Sequence, residues 1–280
     1  WKANGAVLVS GPDTEQKAKT IADIFWKKLR HKYDATRTDM VGSGSIWPPT
    51  LRVCDSNEIL LRFAVRDRDP DKVNDFGKAL STLILSGPAG MAVTTGGRPK
   101  PSLVVAYWPA LMHRSRVKAK VLAIDTAGEE EFHEISFPIR VRSAAGHKPA
   151  PERAVGKGKK AAGKTQAVKL NQVCYARSGD KGDTCNIGVL ARSPKVYDWM
   201  VGNLTSEVVK RFFKGMTLGK VIRYKLDNLL GLNFLLEETL GGGGTKSLMV
   251  DSQGKTLAQA LLEMEVRVPV SLLKSIKVKR

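Results

Sequence analysis

Cysteine is scarce and unpatterned in this chain. Its three cysteines, Cys54, Cys174 and Cys185, share no CxxC spacing, and the four histidines, His31, His113, His133 and His147, do not pair with them. Neither a zinc site nor a disulfide framework is legible. Free thiols in a chain of this size suit a reducing compartment, the mitochondrial matrix in a eukaryote and the cytoplasm otherwise. No apolar run approaches the roughly 20 residues that span a bilayer. The first residues do not resemble a signal peptide, and a chain that opens on Trp1 rather than Met leaves a removed targeting segment open. No nucleophile stands beside a base: Ser178 follows Arg177 without a GxSxG elbow and has no histidine near it in sequence. Aromatic residues make up only 6% of the chain. Trp26, Tyr33, Trp47, Tyr107, Trp108 and Trp199 lack the spacing of a base-stacking sheet and read mostly as core.

Acidic residues are also in short supply. Lys and Arg number 46 against 27 Asp and Glu, a formal net charge of +19. The excess is spread over the length, +6 in residues 1–142, +6 in 143–169 and +7 in 170–280. A spread excess makes a generally positive surface, which suits phosphate-rich partners such as RNA, anionic membrane or anionic small molecules without naming one. The remaining composition is that of a folded protein, 42% hydrophobic and 26% charged over 280 residues, enough for two modest domains with a core each.

The chain alternates strand-like and helix-like segments. AVLVSG reads as a strand closed by Gly11-Pro12, with Asp13 or Thr14 where a helix N-cap belongs. In EQKAKTIADIFWKKL the residues Ala18, Ile21, Ala22, Phe25 and Leu29 share one helix face. EILLRFAVRD predicts a strand, PDKVNDFGKALSTLIL a second amphipathic helix, and VKAKVLAIDTAGEEEFHEISFPIRV a hairpin turning at Thr126-Ala127-Gly128. Residues 143–167 are rich in Ala, Gly, Pro and Lys and read as a flexible basic linker. It is either an ordinary tether or an arm that lays Lys157, Lys159, Lys160 and Lys164 on RNA or another anionic surface. The second domain, 168–274, predicts strand, charged loop, strand, helices over VYDWMVGNL and SEVVKRFF, and a strand over GKVIRYKL. A helix over NFLLEETL, a strand over KSLMV, a helix over TLAQALLEM and a closing EVRVPV follow. The expectation is an α/β (α+β) chain of two small sandwich domains, followed by a basic tail, 275–280, with Lys277, Lys279 and Arg280.

The stretch from Ala176 to Val189, ARSGDKGDTCNIGV, places charge and glycine together between two apolar runs. Gly179 and Gly182 permit backbone N–H groups to converge on an anion, and Arg177 and Lys181 add positive charge. Asp180 and Asp183 have the chemistry of acid, base or cation ligand. The alternative is that the two cations pair with the two carboxylates to fold the loop. The run Gly241-Gly242-Gly243-Gly244-Thr245-Lys246-Ser247 fails as a P-loop, because Thr245 precedes Lys246 and no helix follows. It reads as a flexible helix-to-strand joint or as backbone laid against a ligand. Arg98 and Lys100, in GGRPKPS, form a comparable basic turn suited to a carboxylate or phosphate.

These two glycine-bearing signatures, RSGDKGD…NIGV and GGGG…S…D.QGK, resemble the AtuA-like ferredoxin-fold domain of the acyclic terpene utilisation family AtuA. LVSGPDTEQKAKTIADIFWKKL, LILSGPAG and GGRPKPSLVVAYWPAL are similar to the last portion of that family's large N-terminal domain. The resemblance implies a first region over 1–142, a second ferredoxin-like domain over 168–274, and a longer N-terminal part that this chain lacks or that another polypeptide supplies. It further implies a subunit or fragment acting in the catabolism of acyclic terpenes and branched acids, with a CoA thioester as substrate and no evident cofactor or metal. An anionic acyl-CoA or carboxylate is then expected near Arg177, Ser178, Gly179, Asp180, Lys181, Gly182, Asp183 and Asn186 and the four glycines 241–244. No motif specifies a bond that is broken. The alternative, drawn from the spread positive charge, is an enzyme-derived structural subunit of a large mitochondrial assembly, such as a mitoribosome, contacting RNA or protein.

Overall fold

The computed structural model describes residues 1–51, 56–94, 96–105, 110–135 and 164–276. Its chain divides into one compact unit of Trp1–Ala106 with Arg153–Arg280 and a second of Tyr107–Glu152. The fold is mixed α/β with antiparallel sheets.

In the first part of the larger unit, β1 (Lys2–Ser10), β2 (Ala35–Val41), β3 (Glu58–Arg66) and β4 (Met91–Val93) form an antiparallel sheet in the order β2-β3-β1-β4. Helices α1 (Thr14–Lys28) and α2 (Pro70–Ser86) cover one face. Alternation along β3 buries Ile59, Leu61, Phe63 and Val65 against Phe25 of α1 and Phe76 of α2. Phe25 lies 4.4 Å from Phe63 and 5.7 Å from Phe76 between ring centroids, and each such ring contributes about 1.5–3 kcal/mol by burial. Helix α2 starts where Pro70 presets the first turn and the Asp69 carboxylate accepts from Asp71 N at 2.9 Å. The cap of α1 differs from expectation: Asp13 holds the position with left-handed backbone, but its side chain makes no capping hydrogen bond.

The second part of this unit is built on β8 (Cys174–Lys181), β9 (Thr184–Ala191), β10 (Val221–Leu226) and β11 (Gly231–Leu236), antiparallel in the order β10-β11-β9-β8. Helices α3 (Pro194–Asn203), α4 (Ser206–Phe212) and α5 (Leu257–Leu262) close a core around Ile187, Val189, Phe234, Tyr197 and Phe213. Strand β7 (Thr165–Lys169) pairs with β12 (Glu265–Pro269), and α6 (Val270–Ser275) follows.

The structure departs from several local expectations in the second part of the chain. The charged signature is not a loop: β8 runs through Lys181, leaving Gly182 and Asp183 as the turn of a hairpin whose last pair is Lys181 and Thr184. Gly182, at φ 65°, supplies the first central residue of that turn. The strand expected to open the second domain is not continuous, because a 3-10 turn over Leu170–Gln172 separates β7 from β8. NFLLEETL is not a helix: Asn233–Leu236 complete strand β11, where pairing on both sides with β9 and β10 overrides the local helical pattern, and the residues after Leu236 turn. KSLMV is irregular rather than a strand, so the glycine run joins no helix to a strand. The predicted linker also ends in structure, since β7 begins at Thr165 and Lys164 O accepts from Val270 N at 3.0 Å. Lys157, Lys159, Lys160, Lys277, Lys279 and Arg280 lie outside the described residues.

In the smaller unit, β5 (Ala119–Ile124) and β6 (Glu130–Ile135) make the expected hairpin. Its turn is organised by Asp125, whose carboxylate accepts from Ala127 N and Glu129 N. No helix among the described residues is long and apolar enough to cross a membrane.

Candidate functional site

The face of the β2-β3-β1-β4 sheet away from its helices carries charge. Because strand residues alternate, Arg62 and Arg66 of β3 point opposite to the buried set, and register sets Lys2 of β1 beside Arg66 and Asp39 of β2 beside Arg62. Arg37 Nε donates to Asp39 Oδ1 and Arg62 Nη1 to Asp39 Oδ2, both at 2.8 Å. Asp39 is only 2% exposed, so this pairing is what allows a buried carboxylate there.

The other cationic contacts are to main-chain carbonyls of a single loop after β11. Lys2 Nζ donates to Thr245 O at 2.7 Å, Arg66 Nη1 to Lys246 O at 3.0 Å and Arg62 Nη1 to Leu248 O at 2.8 Å. A carbonyl satisfies a donor without bringing a full opposing charge, and Asp39 is the one carboxylate among the contacts described for these four cations. Its crowding shows in the pKa of Lys2, lowered by burial and then by the neighbouring guanidinium groups of Arg62 and Arg66. Burial also lowers that of Arg62, against the opposing pull of Asp39.

The glycine run arrives at this loop through Asp183. Asp183 Oδ1 accepts from Gly242 N at 2.7 Å and Leu240 N at 3.1 Å, while its carbonyl accepts from Thr239 N and Leu240 N. Gly243, at φ 86°, lies so close to the hairpin turn that a Cβ there would sit 3.1 Å from the Gly182 carbonyl. Two N–H groups of the glycine region therefore bind a protein carboxylate.

Between these pieces is a cleft of about 580 Å³. Arg37, Arg66, Lys246, Thr36, Ser45 and Ser247, with the acidic Asp183 and Glu238, give it a polar lining, and Trp47, Met216, Leu218, Leu248 and Met249 an apolar one. The hydroxyl oxygen of Ser45 is buried and has no hydrogen-bond partner. Glu238, also on the lining, adopts left-handed backbone at φ 48°, a conformation that costs a non-glycine residue about 1 kcal/mol or more.

Of the residues expected to meet a ligand, Asp183, Gly241 and Gly242 line the cleft, together with Trp47, Lys246 and Ser247, which were named above in other connections. The alternative reading, in which Arg177 and Lys181 pair with Asp180 and Asp183, finds no such ion pair among the described residues. Arg177 is exposed on β8 opposite Gly188, Lys181 Nζ donates to Asp180 O, and Asp180 lies 3.8 Å from Lys255. Ser178 is a buried joint: its Oγ donates to Gly254 O at 2.6 Å and accepts from Ala258 N at 2.9 Å, tying β8 to α5. Asn186, opposite Gly179, accepts from Asn233 Nδ2. Arg98 and Lys100 are exposed beyond β4 and off the cleft lining. Arg37, Asp39, Arg62, Arg66, Ser45 and Glu238 belong to none of the sequence motifs described above. The available signal was charge at alternate positions in β-rich segments, Arg37 with Asp39 and Arg62 with Arg66.

Residues 1–123 match the family model described as acyclic terpene utilisation family protein AtuA, and residues 168–267 match the AtuA ferredoxin-like domain. The chain belongs to the AtuA family. No curated protein and no solved structure matches it. Both AtuA segments contribute to the cleft, Arg37 and Arg66 from the first, Gly241 and Lys246 from the second. Among the described residues no group of three or more His, Cys, Asp or Glu is arranged to hold a metal ion.

Proposed function

We propose that this AtuA protein acts in acyclic terpene or branched-chain acyl-CoA catabolism by holding an anionic acyl ligand, a carboxylate or CoA thioester, in the cleft between its two family segments. The observation that carries this reading is the cluster of Lys2, Arg37, Arg62 and Arg66 on one sheet face, paired there with Asp39 and backbone carbonyls, of which Arg37 and Arg66 line the cleft. The apolar wall of Trp47, Met216, Leu218 and Met249 beside Arg66 and Lys246 suits a molecule with an anionic end and a hydrocarbon body. Arg37, Arg66 and Lys246 would receive the anion, and the Ser45 hydroxyl would gain its missing partner. Isothermal titration of the full chain with a branched-chain acyl-CoA, and separately with the free acid, tests the reading. Saturable binding that weakens at least tenfold in the Arg37→Ala, Arg66→Ala double variant is expected. Absence of binding by both ligands overturns it.

The formal charge of +19 favours a second reading, a structural subunit of a large organellar assembly that meets RNA through its positive surface. Isolation from the native source with and without RNase separates the two. Co-migration with a large ribonucleoprotein favours the second; recovery as a small particle favours the first.

A further inference from the structure

Both strands of the hairpin in the smaller unit are exposed. Strands β5 and β6 form a two-stranded sheet with no third strand among the described residues, and every residue of the pair except Ala119 is exposed. The exposed residues include Val121, Leu122, Ile124, Phe132 and Ile135, with Ile124 and Phe132 above 60%. A two-stranded ribbon with that much apolar surface in water is marginal by itself; a third and fourth strand would remedy it.

The two edges of the ribbon are unequal. Strand β6 reads Glu-Glu-Phe-His-Glu-Ile and carries Glu130, Glu131, His133 and Glu134, the kind of charge density that blunts an edge against pairing. Strand β5 reads Ala-Lys-Val-Leu-Ala-Ile, with Lys120 its one charge and neither proline nor glycine to disturb pairing. That lysine is already compensated within the ribbon by Glu134 at 3.5 Å. Joining two copies through β6 would bring together three carboxylates from each. Joining them through β5 brings together apolar side chains and two lysines that each retain a carboxylate partner.

We infer that β5 is an interface strand, pairing antiparallel with β5 of a second copy of this chain about a two-fold axis. The product is a four-stranded sheet with the two apolar strands at its centre and the acidic strands at its rims. Two-fold symmetry requires a self-complementary edge, which β5 is and β6 is not. The pairing uses none of the cleft residues and stands whether or not the cleft binds an acyl ligand.

Analytical ultracentrifugation of the full chain over a dilution series, with a cysteine scan in a Cys54→Ser background, tests this. A dimer is expected, with oxidative cross-linking at one or more positions of the scan Lys120→Cys, Val121→Cys, Leu122→Cys and Ala123→Cys, and at none of Glu130→Cys, Glu131→Cys and Phe132→Cys. Val121→Asp with Ala123→Asp, which gives β5 the acidity of β6, should yield a monomer of unchanged far-ultraviolet circular dichroism. If that variant misfolds, the cross-linking scan decides. A wild-type monomer at every concentration, including one whose β5 amides are protected within a single chain, overturns the inference. So does a dimer cross-linked through β6, or one that survives the double substitution.

Discussion

The carboxylate of Asp183 accepts the backbone N–H of Gly242 at 2.7 Å. This contact joins residues 59 apart in sequence and turns two separately glycine-rich motifs into one structural element. The hairpin turn fixes the position of the glycine run, the run leads into the loop 245–248, and that loop's carbonyls receive Lys2, Arg62 and Arg66. A signature residue thus shapes the cleft by holding backbone.

Replacing Asp183 by Ala removes an ionised acceptor from Leu240 N and Gly242 N. Hydrogen bonds to charged groups contribute about 1.5–3 kcal/mol, so the urea midpoint should fall by the equivalent of about 2 kcal/mol. Acyl-ligand affinity should fall with it, measured below the unfolding transition. Unchanged stability would show that the turn and the run are held by something else.

The four glycines are predicted to be unequal. Gly243→Ala introduces a Cβ at φ 86° and 3.1 Å from the Gly182 carbonyl, and should cost about 1–2 kcal/mol. Gly244 has ordinary backbone and open space where a Cβ would stand. Gly244→Ala should be neutral or stabilise by up to about 1 kcal/mol through the unfolded chain. Paired thermal melts of the two variants check this; equal effects would contradict it.

Arg62 and Arg66 should separate stability from binding. Removing Arg62 strips a partner from the 2%-exposed Asp39 and from Leu248 O, and breaking a buried pair costs about 3–5 kcal/mol. Arg66 is more open and bonds only Lys246 O among the contacts described. Arg66→Ala should therefore change the urea midpoint little while reducing ligand affinity at least as much as any other single cleft substitution. If Arg66→Ala destabilises as much as Arg62→Ala, the charged face serves cohesion between the two parts of the chain and not a ligand.

Much of this fold is legible in the sequence because its periodicities are local. The face formed by Ala18, Ile21, Ala22 and Phe25 specifies α1, and the alternation in EILLRFAVR specifies β3. NFLLEETL misleads because a short apolar run suits helix and strand alike, and only its neighbours β9 and β10 decide. The signature reads as a loop because Gly, Asp and Lys disfavour strands, yet a hairpin with a two-residue turn absorbs them. Asp183 and the glycine run are visible in the sequence as motifs. Their contact with each other, and the meeting of Arg62 with Leu248, depend on chain segments 59 and 186 residues apart, and no local pattern encodes that.

The two described thiols should be silent until the protein opens. Cys174 and Cys185 are 1% and 0% exposed, and burial pushes both up to about 12 from an ordinary value of 9.0, with Asp251 adding to the effect at Cys185. A raised thiol pKa means that the folded state favours the neutral form, so this contribution to stability is complete below about pH 9 and is lost as pH rises toward about 12. At neutral pH neither thiolate is populated in the native chain, and alkylation in a Cys54→Ser background should track unfolding by urea. Urea midpoints should hold constant as pH is raised to about 9 and then decline, more gently in Cys185→Ala once its cavity cost is subtracted. Rapid labelling of Cys185 in the folded protein would instead identify a low-pKa thiol and remove the burial argument.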